Sequence, residues 1–126
     1  MPPNFPSPLE LEYMNGRSWL VKAEFAVTID PDWPARIIVP AGFITDFASI
    51  PRILWNILPP EGNYGKAAVL HDYLYVIGGR VPEWSRTFTK LDADRIFLES
   101  MRQLQVPWYQ RYPMYVAVRW FGRGSF

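Results

Sequence analysis

Ala67-Ala68-Val69-Leu70-His71-Asp72-Tyr73-Leu74-Tyr75 is an apolar run of helical character, and it holds the chain's one histidine. The loop Glu61-Gly62-Asn63-Tyr64-Gly65 precedes it and Gly78-Gly79 follows it. The run reads as a helix from about Lys66 to Val76, closed by glycines that tolerate a left-handed cap. His71 and Tyr75 are four residues apart and share one helix face. Asp72 is rotated from His71 by about 100° and points to an adjacent face.

Towards the C-terminus, residues 80–89 read as a connection. Thr89-Lys90-Leu91-Asp92 fits a capping box, so a helix is expected from about Lys90 to Leu104. Its apolar stripe is Phe97, Leu98, Met101 and Leu104. Val106-Pro107 breaks it, and a last helix is expected from about Trp108 to Phe121, with Pro113 marking a start or kink.

Towards the N-terminus the pattern changes to strands. Residues 1–8 are Pro-rich and are expected to be extended. Leu9-Glu10-Leu11-Glu12-Tyr13 alternates apolar and acidic, as a half-buried strand does. Asn15-Gly16 is a hairpin turn signal. Trp19 to Ile29 reads as one second strand, and Arg36 to Val39 as a third. Asp30-Pro31-Asp32-Trp33-Pro34 reads as the turn between them. Ser49 and Pro51 suit the start of a short helix from Arg52 to Ile57. The expected fold is α+β: a small N-terminal antiparallel sheet followed by three or four helices, one domain over residues 9–126.

Composition limits the chemistry. The chain has 126 residues, enough for one domain with a real core. A net charge of +1 gives no electrostatic reason to bind nucleic acid. Zero cysteines exclude disulfides and thiolate metal sites. Met1-Pro2-Pro3-Asn4-Phe5-Pro6 has neither a basic start nor an apolar core, so no signal peptide is expected. No apolar stretch approaches the roughly 18 residues that span a bilayer. The chain is expected to be soluble, and export would need a route other than a visible signal.

If the chain performs chemistry at neutral pH, His71 is the side chain to carry it. Asp94 precedes Phe97, Leu98 and Met101 by three, four and seven residues, at the head of a buried stripe where a bare carboxylate is costly. It needs a partner, and His71 or Tyr75 on a packed neighbouring helix supplies one. The candidate catalytic set is therefore His71 as base, Asp94 as its orienter, and Tyr75. Asp72 stays available for a cation. Asp46 lies in Ala41-Gly42-Phe43-Ile44-Thr45-Asp46-Phe47-Ala48-Ser49-Ile50-Pro51-Arg52, at a strand-to-helix junction. There it either caps a helix N-terminus or joins Asp72 as a ligand. Asp46, Asp72 and His71 together would suit Ca²⁺, Mn²⁺ or Zn²⁺ with positions open for water. Asp92 is explained by its cap, and Ser49 by another.

Three runs carry a resemblance: Val39 to Pro51, Ala68 to Tyr75, and Asp92 to Met101. They resemble the domain-of-unknown-function family numbered 1353, found in tailed bacteriophages and prophages. The match extends from about residue 10 to 122 and implies a phage origin, with the host cytoplasm or a virion as the location, without an activity. Separately, His71-Asp72-Tyr73-Leu74-Tyr75 is similar to the His-Asp-x-x-Tyr helix of phospholipase A2 enzymes, including the disulfide-free viral kind. That resemblance implies that His71 activates water, Asp72 holds Ca²⁺, and Asp94 orients the imidazole. The N-terminal sheet has no counterpart in those enzymes.

Trp108 to Arg123 mixes bulky aromatics with arginine. The packing expectation puts Trp108, Tyr112, Tyr115 and Val116 on the sheet with the arginines outside. The same residues also suit a membrane interface or a docking surface for a phage structural or host protein. Two functions follow. One is a metal-dependent hydrolase acting on lipid or cell-envelope esters. The other is a non-catalytic virion, tail or host-interaction protein whose His71, Asp72 and Asp94 form a structural network.

Overall fold

A computed structural model describes residues 11–15, 18–28, 36–45, 64–82 and 87–122. Among them are five strands: β1 (Leu11–Asn15), β2 (Ser18–Val21), β3 (Phe25–Thr28), β4 (Arg36–Val39) and β5 (Ile44–Thr45). Three helices follow: α1 (Tyr64–Val76), α2 (Lys90–Gln103) and α3 (Trp108–Phe121). The architecture is α+β. The expected short helix at 52–57 and the turn at 30–34 lie outside the described residues.

β1 and β2 pair as an antiparallel hairpin with Asn15 opposite Ser18, and the register shifts between Tyr13 and Asn15. The single strand expected from Trp19 to Ile29 is instead two. Its alternation runs on unbroken in sequence, but the chain leaves the ladder after Val21. Val21 donates to the Phe43 carbonyl and accepts from Gly42, which ties the end of β2 to the turn before β5. β2 therefore sits between β1 and β5, while β3 pairs with β4 in a second sheet. The short strand β5 was not expected. It sets Trp19 opposite Thr45 and Leu20 opposite Ile44.

α1 is the centre of the molecule. Residues from Ala67 to Tyr75 are all buried, as befits a helix that is apolar on every side. Val69, Leu70, Tyr73 and Leu74 join one core with Val21, Val27, Ile37 and Val39 of the sheets. Ala67 and Ala68 join a second core with Phe97, Met101, Met114 and Val118 of α2 and α3. Ala93 and Ile96 of α2 reach the first core, so α2 touches both.

The ends of α1 and α2 are locked together. Gly79 N–H bonds Leu74 O at 2.9 Å and Gly78 N–H bonds Tyr75 O at 3.3 Å, a paired helix stop with Gly78 at φ 63°. Gly79 sits at φ 77°, and a Cβ there would stand 1.9 Å from the Phe88 carbonyl oxygen. Only glycine lets the segment leading into α2 come this close, and Phe88 N–H closes the contact on Gly79 O at 2.9 Å. From this clamp the two helices run back along each other. His71 meets Asp94 further in, and Ala67 and Ala68 share a core with Phe97 and Met101 beyond it.

The Thr89 hydroxyl accepts from Asp92 N–H, and the Asp92 carboxylate accepts from Thr89 N–H, as the capping box requires. Thr89→Ala is expected to cost about 1 kcal/mol in urea unfolding. No change in the midpoint would mean that tertiary packing alone holds this end.

Candidate active site

Asp94 lies one turn into α2, and its carboxylate is wholly buried. Desolvation by itself would raise its pKa. Four donors outweigh that and hold it at about 2: His71, Tyr75, Lys90 and Arg119. His71 Nε2 and the Tyr75 hydroxyl both meet Oδ1, the imidazole at 2.8 Å. Lys90 Nζ at 3.0 Å and Arg119 Nη1 at 2.7 Å both meet Oδ2. Donors thus come from all three helices: His71 and Tyr75 from α1, Lys90 from α2 itself, Arg119 from α3.

This carboxylate decides the state of the imidazole. An ionised acid only accepts, so Nε2 must carry the proton and Nδ1 the lone pair. The His71 pKa is lowered from its ordinary 6.5, chiefly by burial, against the pull of Asp94. The ring is therefore neutral at physiological pH. Phe97 stacks on it with centroids 4.5 Å apart and planes at 25°, and Tyr75 lies 4.1 Å away at 45°. Burial and its bond to Asp94 raise the Tyr75 pKa, so the phenol stays a donor. His71 as a whole is 1% exposed.

Lys90 extends the network. Its ammonium also bonds the carbonyls of Val118 and Arg119 at 2.9 and 3.2 Å, capping the last turn of α3. One carboxylate on α2 so fixes a ring on α1 and the end of α3.

Asp72 faces a different neighbour, as its position one residue on from His71 demands. The Thr45 hydroxyl on β5 donates to Asp72 Oδ2 at 2.7 Å, and both residues are buried. Beside them Phe43 packs edge-on against Tyr73, with centroids 5.4 Å apart. Asp46, the second expected ligand, lies outside the described residues. Among the described residues no group of three His, Asp or Glu side chains stands together for an ion. Of the two expected carboxylate ligands, Asp72 is the one among the described residues.

The structure corrects the expected packing of α3. Met114 and Val118 are its buried residues, on the face that meets α1 and α2. Trp108, Tyr112 and Val116 point outwards instead of onto the sheet. Arg119 and Lys90 join the last turn of this helix to α2.

A family model described as a protein of unknown function (DUF1353) matches residues 19–118. The chain belongs to the DUF1353 family. The uncharacterized protein y4jT of Sinorhizobium fredii (strain NBRC 101917 / NGR234) is 39% identical over 92 residues, 71% of this chain. Those residues are 24% of that protein, so the DUF1353 chain spans about a quarter of the relative it matches. No solved structure matches.

Sequence reasoning did not name three residues of the DUF1353 site. Lys90 is four residues before Asp94, an i,i+4 pair readable from spacing. Arg119 and Thr45 reach their carboxylates through tertiary contacts alone, and spacing carries no trace of them.

Proposed function

We propose that this DUF1353 chain is a hydrolase in which His71 is the general base. What carries the reading is the bond from Nε2 to a buried, ionised carboxylate of the next helix, which also receives Tyr75. It is the arrangement that the similarity to the His-Asp-x-x-Tyr helix implies. It leaves Nδ1 as the basic nitrogen of a neutral ring.

The chemistry follows from those states. Nδ1 takes a proton from water as the water oxygen bonds to an ester carbonyl carbon. The tetrahedral adduct then breaks its bond to the alcohol oxygen, which leaves with the proton from the imidazolium. An acid and an alcohol result. Asp94 and Tyr75 are positioning residues: the carboxylate stabilises the imidazolium, and the phenol helps hold the carboxylate. No step here runs through an ion. A divalent cation held by Asp72 and Asp46, with Ca²⁺ favoured by oxygen donors, is a separate part of the proposal. Phage origin, and lipid or cell-envelope esters as substrates, belong to it on resemblance.

The test is hydrolysis of phospholipid and p-nitrophenyl esters across pH, with calcium and with chelator. The expected rate climbs with pH through a value below 6.5, set by the lowered imidazole pKa, and is level at neutral pH. Loss of turnover on chelation, reproduced by Asp72→Asn, supports the cation. Absence of ester hydrolysis under every condition contradicts the enzyme.

One observation favours a second reading. Asp94 is fully buried with four donors from three helices, and His71 is almost sealed from solvent. Such a satisfied network rigidifies a core without doing chemistry. The protein would then be a non-catalytic virion, tail or host-interaction component. This reading expects His71→Gln to change stability alone.

A further inference from the structure

The outward face of α3 lacks the charge that a solvent-facing helix normally carries. At 100° per residue, Trp108, Tyr109, Tyr112, Pro113, Val116 and Trp120 fall within an arc of about 140°. All six are exposed, Trp108 at 66% and Trp120 at 78%. The two tryptophans are about 18 Å apart along the axis. Arg119 shares that arc, and its guanidinium turns back onto Asp94. A continuous exposed aromatic face of this kind marks an interaction site.

Charge selects the occupant. Among the described arginines from Arg102 onwards, Arg102 pairs with Glu99 at 3.7 Å and Arg119 with Asp94, so Arg111, whose guanidinium lies over the Tyr112 ring, is the positive charge at this face. A second copy of this face would bring Arg111 again but no carboxylate, since α3 contains no aspartate or glutamate. An anionic bilayer supplies the missing negative charge. It also supplies the half-apolar, half-polar layer in which tryptophan and tyrosine rings are most stable. We infer that α3 lies along the surface of an anionic membrane, with Trp108, Tyr112, Val116 and Trp120 entering the headgroup layer. The inference goes beyond the hydrolase reading and stands on different residues.

The experiment is co-sedimentation of the whole chain with vesicles of ether-linked phosphatidylcholine, alone or mixed with ether-linked phosphatidylglycerol. Ether lipids contain no ester, so binding is read apart from turnover. Expected is binding to the mixed vesicles about tenfold tighter than to the neutral ones, as one or two arginines near the surface give. A blue shift of tryptophan emission should accompany it. Trp108→Ser with Trp120→Glu should weaken binding at least about tenfold, with the circular dichroism spectrum unchanged. The inference is overturned if neither vesicle binds. It is equally overturned if both bind alike, or if the chain elutes as a dimer that the double substitution makes monomeric and neither vesicle competes.

Discussion

Asp94→Ala is expected to lower the unfolding free energy by about 3–5 kcal/mol, the cost of removing one partner from a buried charged network. Four donors lose their acceptor at once. The imidazole and phenol are buried, and the two cations are only 28% and 32% exposed on their side chains. For a chain of this length that is a fall in Tm on the order of 10–20 °C. Asp94→Asn should recover little, because an amide nitrogen would face Lys90 and Arg119. Chemical unfolding of both variants checks this. A loss below about 1 kcal/mol for Asp94→Ala would mean that the network does not hold the helices together.

His71→Gln is expected to remove turnover by about 10²–10⁴-fold, the usual contribution of a general base. Glutamine keeps an amide donor for Asp94 but offers no basic nitrogen, so the stability change should be far smaller than that of Asp94→Ala. His71→Ala is a poorer test, because it opens a hole beside Phe97 and costs stability of its own. Ester turnover retained in His71→Gln would assign the chemistry elsewhere, and an inactive parent protein would leave the structural network as its role.

The same pair governs acid stability. The Asp94 carboxyl is held at about 2 against an ordinary 3.8, so its contribution is complete above pH 3.8 and is lost as pH falls towards 2. The His71 pKa is also lowered, from 6.5. Below pH 6.5 the unfolded chain takes up a proton that the folded ring refuses, so stability drops until the ring's own folded pKa is reached. The expected curve declines from near pH 6.5, then again below pH 3.8. His71→Gln should flatten the first decline and leave the second.

The helices were legible because each end carries a local signal. Gly78-Gly79 closes α1, Thr89 and Asp92 cap α2, and Val106-Pro107 separates α2 from α3. The turn after α2 was less so, since its left-handed residue is Gln105 rather than glycine. Asp94 was legible as a carboxylate with no cap to explain it. The strands were harder. Alternation from Trp19 to Ile29 looks continuous, and only pairing with β5 and β4 reveals that Val21 and Phe25 belong to different sheets. α3 was placed the wrong way round because its largest apolar side chains were assigned to the core. The buried face is that of Met114 and Val118, and the contacts of Arg119 and Lys90 at its last turn are ones that no helical period encodes.

One measurement reaches the pair most directly. The chain has a single histidine, so ¹⁵N-labelled imidazole signals need no assignment. The expected spectrum shows a neutral ring protonated at Nε2 at neutral pH, with no titration near 6.5 and a shifted Nε2 proton in Asp94→Asn. A ring that titrates near 6.5 as an exchanging mixture of tautomers would contradict the bond to Asp94 and everything built on it.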